Sequence, residues 1–317
     1  MIKVGIIGAA GYTGGEAIRI LLRHPKAEIV FAQSNSQGGK PVSDVHTDLL
    51  GETDLYFSEN WHTDIDVLML CTGHGEAAKF MQANYIPDEV KVIDLSHDHR
   101  LNQWTYGLPE LNKEQISQTN RLANPGCFAT AIQLALLPLA AAQLITAEVH
   151  VSATTGSTGA GQKPTETSHF SWRSNNLSVY KAFEHQHLGE IYQSLRQLQP
   201  SLSKDVNFIP YRGNFTRGIL AAVYTECALG LEEAQQLFTN YYKQAPFVVF
   251  SDKNPDLKQV VNTNKCLLHL EKHGNKLFII SMIDNLTKGA SGQAVQNMNL
   301  MCGLEETTGL LMKPVAF

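Results

Sequence analysis

The chain has 317 residues, 43% of them hydrophobic, and a formal net charge of −5. That length and apolar content predict two domains around full-sized cores rather than one. The lack of a basic excess excludes nucleic acid or an anionic membrane as a general partner, so an anionic ligand would need locally placed arginines and lysines.

The first residues, MIKVGIIGAAG, run straight into a strand-like segment without the pattern of a signal peptide, and a cytoplasmic protein is expected. Apolar runs then alternate with helical spacing. KVGIIGA (3–9), EIVFAQS (28–34), DVLMLCT (66–72) and VKVIDLS (90–96) read as strands, whereas GGEAIRILLRH (14–24) and EAAKFMQAN (76–84) read as helices. This alternation predicts parallel βαβ units, hence an α/β fold with a Rossmann-type doubly wound sheet. The uncharged run 128–147 is as long as a membrane span, but Gln133, Pro138 and Gln143 interrupt it and no Lys/Arg cluster flanks it, so a buried core helix is expected. Beyond it, β-like stretches recur at 147–161, 206–211, 218–229, 265–272 and 276–284, with one helical insert near 183–198. They predict an α+β second domain built on a mixed or antiparallel sheet. The tail 291–304 returns to helical spacing.

Gly8, Gly11 and Gly14 stand between the first strand and the first helix. Glycines there let the backbone approach a pyrophosphate while helix-start N–H groups bind the anion; a purely structural turn is the alternative. Tyr12 and Thr13 belong to the same loop. The second strand ends in Ser34, Asn35 and Ser36 with Lys40 nearby, where an NAD site carries an acidic residue about 20 residues after the loop. Neutral and positive side chains suit a 2′-phosphate, so NADP is the expected cofactor.

Cys71, Cys127, Cys227, Cys266 and Cys302 are odd in number and show no Cys-x-x-Cys or Cys/His ligand spacing, so neither a disulfide framework nor a metal site is expected. Cys127 differs from the rest because NPGCFATAIQLALLP puts it at the start of a helix, where the dipole and N–H groups favour a thiolate. It reads as a nucleophile or as a buried small hydrophobe. In AFEHQHLGEIYQSL, His187 and Glu190 share a helical face, and His185 lies off that face or on the preceding loop. Glu190 could orient an imidazole that moves protons, or the segment is a solvated helix end. TTGSTGAGQK (154–163) reads equally as a substrate-contacting loop and as a flexible one. Arg100, Arg212 and Arg217, each taken alone, read as surface charges, although Arg100 follows a strand end where α/β ligands sit.

Taken together, GAAGYTGGE, DLSHDHRL, YGLPELN, NPGCFATA, TGSTGAG, EHQHLGEI and DNLTKGASGQAVQN resemble the N-acetyl-gamma-glutamyl-phosphate reductases, relatives of aspartate-semialdehyde dehydrogenase, over essentially the whole chain. The resemblance implies NADPH-dependent reduction of an N-acyl-γ-glutamyl phosphate to its semialdehyde, with phosphate release, in arginine biosynthesis. It implies that Cys127 forms a thioacyl enzyme, that His187, His185 and Glu190 serve it, and that Arg100, Asn124, Ser157 and Arg217 bind substrate. Gly159, Gly161 and Asn285 join the expected cofactor contacts. It further implies a nucleotide domain of residues 1–126 with 290–317, a catalytic and oligomerisation domain of 127–289, and a homo-oligomer, dimer or tetramer. Gln186, Gly189, Tyr211, Asn214, Phe215, Thr158 and Gln162 depart from the family pattern near the substrate, which leaves the acyl group open. Two rivals stand beside this reading. One is an enzyme acting on unacylated aspartyl phosphate, against which Gly126, rather than Asn, precedes the cysteine. The other is an NADP-binding redox sensor without turnover, which would need no proton shuttle.

Overall fold

In the computed structural model, which describes residues 1–102 and 104–315, the chain divides into two compact units. One comprises Met1–Pro125 with Ala290–Leu311; the other comprises Gly126–Gly289 with the residues from Met312 on. The helices are α1 Tyr12–Leu21, α2 Glu76–Ala83, α3 Pro109–Gln118, α4 Cys127–Ala141, α5 Phe170–Arg173, α6 His187–Leu198, α7 Leu231–Tyr241 and α8 Gly292–Met301.

The first unit holds β1 Ile2–Ile7, β2 Ala27–Gln33, β3 Phe57–Ser58, β4 Val67–Leu70, β5 Lys91–Asp94, β6 Thr105–Tyr106 and β7 Arg121–Ala123. They pair in the order β3-β2-β1-β4-β5-β7-β6, every pair parallel. All four residues of β4 are buried, as a strand covered on both faces requires. The strand order reverses between β1 and β4, and α/β sheets bind ligands beyond the carboxyl ends of the strands at such a reversal. Gly8 leaves β1 and Cys71 leaves β4 at that end. The α8 helix packs against α1 and α3. Its buried polar side chains find partners inside the unit: the Asn299 side-chain oxygen accepts from His24 Nε2, and Gln296 donates to Glu306.

The second unit holds β8 Val149–Thr155, β9 Ser178–Val179, β10 Val206–Arg212, β11 Ile219–Glu226, β12 Val248–Phe250, β13 Cys266–His273 and β14 Lys276–Ile283, in the order β12-β13-β14-β11-β8-β10-β9. The β8–β10 and β12–β13 pairs are parallel and the rest antiparallel, so the sheet is mixed. Buried and exposed residues alternate along β11, the mark of a sheet with one face on the core. The α4 helix packs on α6, β11 and β14 and is buried from Phe128 to Ala140, which explains why that stretch carries no charge. Among the described residues no helix is long and apolar enough to cross a membrane.

Some elements differ from the sequence expectation. The helical insert near 183–198 starts only at His187, because Lys181 and Phe183 adopt left-handed backbone (φ 46 and 63) that no helix accommodates. The stretch 229–247, expected to join strands by turns, contains α7. Two- and three-residue strands such as β6 and β7 are too short to show any periodicity.

Candidate active site

The first unit supplies a nucleotide cradle. Gly8 has φ 78, and a methyl group added there would sit 2.7 Å from the Cys71 carbonyl oxygen, so glycine is what lets the chain turn from β1 towards α1 this close to the end of β4. Gly11 is the N-cap of α1 and has extended backbone with no side-chain cap, leaving first-turn N–H groups available for an anion. A Cβ on Gly11 would meet nothing nearer than the Gly8 carbonyl oxygen at 3.6 Å. Protein packing therefore leaves space at this position, which fits close approach of a dinucleotide pyrophosphate. Tyr12 is 38% exposed, Gly14 is buried within α1, and the Thr13 carbonyl accepts a hydrogen bond from the Ser291 hydroxyl at 2.7 Å. At the end of β2, Ser34 is buried, whereas Asn35, Ser36 and Lys40 are exposed. Gln33 donates to Asn35 Oδ1 at 2.7 Å and so holds that loop.

The second unit supplies the cysteine. Gly126 is the N-cap of α4, again with extended backbone, and Cys127 is the first helical residue and only partly buried. The first intrahelical bond runs from the Thr130 amide to the Gly126 carbonyl, so the thiol sits at the positive end of a fifteen-residue helix. The remaining environment is tight: a Cβ on Gly289 would fall 2.8 Å from the Cys127 Cβ. Two other thiols are held in the protonated form. Burial pushes Cys71 up to about 12, and burial likewise pushes Cys302 up to about 11. Cys227 and Cys266 are buried.

Phe128, next to the cysteine, carries both histidines on its ring edge, with centroids 5.5 Å from His185 and 6.3 Å from His187. The imidazoles are 4.6 Å apart, and both are buried. His185 Nδ1 accepts the His187 amide at 3.2 Å, which assigns the proton of a neutral ring to Nε2. Burial, reinforced by Lys181 and Arg212, pushes His185 down to about 4, so this ring is neutral near pH 7. Glu190 comes within 3.9 Å of His187 Nε2 through Oε1, while its Oε2 accepts the Gly126 amide at 2.9 Å. Its carboxylate thus fixes the residue that precedes Cys127, a contact across 64 positions that no local pattern signals. Tyr180 also belongs here: burial pushes its phenol up to about 12, Arg212 acts against that rise, and charge on Cys127 adds to it.

The other expected residues take varied positions. Arg100 is not a surface charge: it is 5% exposed, and its guanidinium donates to the carbonyls of Asn124 and Leu95 at the ends of the parallel strands. Asn124 is fully buried, donating to the Ala290 carbonyl and accepting from Asn297, so both ends of its amide serve the framework. Asn285 likewise accepts the Gly218 amide and donates to Thr158 Oγ1. Ser157 and Gly159 lie in a 3-10 turn after β8, ended by Gly161. The turn is held by Ser157 N–H on the Phe215 carbonyl at 2.8 Å. Arg217 is not a bare surface charge either, since it pairs with the buried Asp284 at 3.0 Å and donates to Thr287. Among the described residues, no group of three His, Cys, Asp or Glu side chains is placed to hold a metal.

Comparison with known proteins joins these observations. Residues 3–119 match the family model described as semialdehyde dehydrogenase, NAD binding domain, and residues 127–285 match semialdehyde dehydrogenase, dimerisation domain. The proteins named N-acetyl-gamma-glutamyl-phosphate reductase from Azobacteroides pseudotrichonymphae and Bacteroides thetaiotaomicron are 60% and 59% identical, each aligned over all of both chains. Among solved structures, aspartate semialdehyde dehydrogenase II of Vibrio cholerae has a TM-score of 0.74 at 19% identity, covering 96% of this chain and 98% of that one. The Candida albicans aspartate semialdehyde dehydrogenase with NADP has a TM-score of 0.72 at 16% identity, covering 95% and 98%. Those two likenesses establish the fold alone. With both family models matched in order and full-length identity near 60%, the chain is an oxidoreductase that belongs to the N-acetyl-gamma-glutamyl-phosphate reductase family.

Proposed function

We propose that this enzyme reduces an N-acyl-γ-glutamyl phosphate to the N-acyl-glutamate semialdehyde and phosphate, using NADPH, as a step of arginine biosynthesis. The observation that carries the chemistry is Cys127 on the first turn of α4, with Gly126 held by Glu190 and two histidines against the neighbouring phenylalanine. The thiolate adds to the acyl carbonyl, a C–S bond forms, the C–O bond to phosphate breaks, and Cys127 carries a thioester. First-turn amides of α4 favour the oxyanion of that addition. The nicotinamide, when bound, supplies the hydride. Hydride addition leaves a tetrahedral alkoxide that a nearby imidazole can protonate to the thiohemiacetal; as that proton is taken back the C=O re-forms, the C–S bond breaks, and Cys127 returns to the thiolate.

His187 is our choice for moving that proton, because Glu190 Oε1 lies 3.9 Å from its Nε2 and can orient the ring, whereas burial holds His185 neutral with a pKa of about 4. Gly8, Gly11 and the start of α1 would hold the pyrophosphate, with Ser34, Asn35, Ser36 and Lys40 near the ribose, a neutral-to-positive set that supports NADP over NAD. Arg100 would meet the phosphate and Arg217 the substrate carboxylate. The match of the second unit to a dimerisation domain supports a homo-oligomer.

The test is phosphate-dependent oxidation of N-acylated glutamate semialdehydes and of aspartate semialdehyde, each with NADP⁺ and with NAD⁺. Turnover of an acylated glutamyl aldehyde with higher kcat/KM for NADP⁺ is expected. A preference for aspartate semialdehyde, or absence of turnover with nucleotide binding intact, would move the assignment to a different substrate or to a sensor.

A further inference from the structure

The arginines of the second unit differ in how their charge is met. Arg217 is compensated by Asp284. Arg173 and Arg212 are different. Arg173 ends the short α5 helix, is 7% exposed, and donates to the carbonyls of Arg212 (2.6 Å) and Thr167 (3.1 Å) and to Ser178 Oγ (3.4 Å), all neutral acceptors. Arg212 ends β10 with its guanidinium 4.4 Å from the centre of the Tyr180 ring, and its buried Nε has no hydrogen-bond partner. Among the described residues, no carboxylate lies within ion-pair distance of either guanidinium.

Two neighbouring positive charges, partly desolvated and without a counter-ion, are unfavourable unless an anion joins them. Burial and then Arg212 work against the charge on Arg173, holding its pKa below the usual guanidinium range. The pair is also continuous with the catalytic residues. Arg212 acts electrostatically on His185 and Tyr180, Tyr180 senses charge on Cys127, and His185 edges onto Phe128. A planar guanidinium that keeps an unpartnered Nε beside its Tyr180 contact is well suited to grip a carboxylate.

We propose that Arg173 and Arg212 form a second carboxylate-binding subsite for the substrate, which either shares the α-carboxylate with Arg217 or holds a carboxylate borne by the N-acyl group. This deepens the function proposed above and rests on it. Arg212 makes the direct contact, and Arg173 raises the local positive potential and holds the Arg212 backbone in place.

The test uses the full chain and two aldehydes oxidised in the presence of phosphate. One is N-acetyl-glutamate semialdehyde, with its α-carboxylate alone. The other is glutamate semialdehyde N-acylated by a dicarboxylic acid, which carries a second carboxylate. In Arg212→Met the KM is expected to rise about tenfold or more, the loss typical of one charge-assisted contact. A rise for both aldehydes identifies the α-carboxylate as the bound group; a rise confined to the second identifies the acyl carboxylate. Values within twofold of wild type for both aldehydes, at unchanged melting temperature, overturn the proposal. Arg173→Met removes backbone contacts as well, so Arg212→Met decides. If wild-type protein oxidises neither aldehyde, the functional reading fails by itself. The subsite is then judged by glutarate protection of Cys127 from iodoacetamide. Protection in wild type that disappears in Arg212→Met supports it, and no protection, or equal protection in both, overturns it.

Discussion

The starts of α1 and α4 share one backbone design and put it to different uses. Both helices begin on a glycine N-cap with extended backbone and no side-chain cap, at φ −77 and ψ 170 for Gly11 and φ −73 and ψ 150 for Gly126. At α1 the surroundings leave room: a Cβ on Gly11 would make only ordinary contacts, the nearest 3.6 Å from the Gly8 carbonyl oxygen, and first-turn N–H groups suit a ligand. At α4 the surroundings close in. Glu190 takes the Gly126 amide, Gly289 packs on Cys127, and the side chain at the helix end is the protein's own thiol. A helix dipole alone does not determine a function; the packing beyond the cap decides whether the site receives a ligand or activates a side chain.

The largest way to break this comparison is Cys127→Ser. Turnover is expected to fall by at least about 10³-fold, as for removal of a nucleophile acting with its base, while nucleotide affinity measured by fluorescence titration stays within a few-fold. Near-normal turnover would remove α4 from the chemistry. Next in size is His187→Asn, expected to cost about 10²- to 10⁴-fold in turnover and to flatten one limb of the pH–rate profile. The same limb should survive in His185→Asn; if it vanishes there and persists in the His187 variant, the two roles exchange.

Gly8→Ala probes the α1 side alone. Its left-handed backbone and the 2.7 Å approach to the Cys71 carbonyl predict a strain of about 1–3 kcal/mol. That corresponds to a roughly 5- to 150-fold loss of nucleotide affinity, with the alkylation rate of Cys127 unchanged. A parallel loss of thiol reactivity would mean that the two helix starts are not independent. The smallest effect concerns stability. His185 titrates near 4 in the fold and near 6.5 when unfolded, so the unfolded chain takes up a proton that the fold refuses as pH falls between those values. Its contribution is complete above pH 6.5 and declines by up to about 3 kcal/mol toward pH 4. Urea midpoints at pH 7 and 4.5 should converge more closely in His185→Phe than in wild type.

Much of this was legible in the sequence because the physics was local. Apolar runs located β1, β2, β4 and β5, helical spacing located α1, and the uncharged run after Cys127 became a helix buried all round. What remained hidden was long-range. Nothing near Gly126 points to a carboxylate 64 residues away, and nothing in SHFSWRSNN marks Arg173 as 93% buried rather than solvated. Arg100 and Arg217 read as ordinary charges until the strand-end carbonyls and Asp284 are brought to them by folding. Asn124 illustrates the converse: a polar residue close to Cys127 in sequence has both ends of its side chain bound within the framework.

The central claim, that Cys127 becomes acylated, is tested most directly by intact-mass and peptide mapping of the enzyme mixed with N-acyl-γ-glutamyl phosphate in the absence of nicotinamide. The account predicts one added acyl group, located on Cys127, released by hydroxylamine and absent in Cys127→Ser. An unmodified chain that nevertheless turns over when NADPH is added, or an acyl group on any other residue, would contradict it.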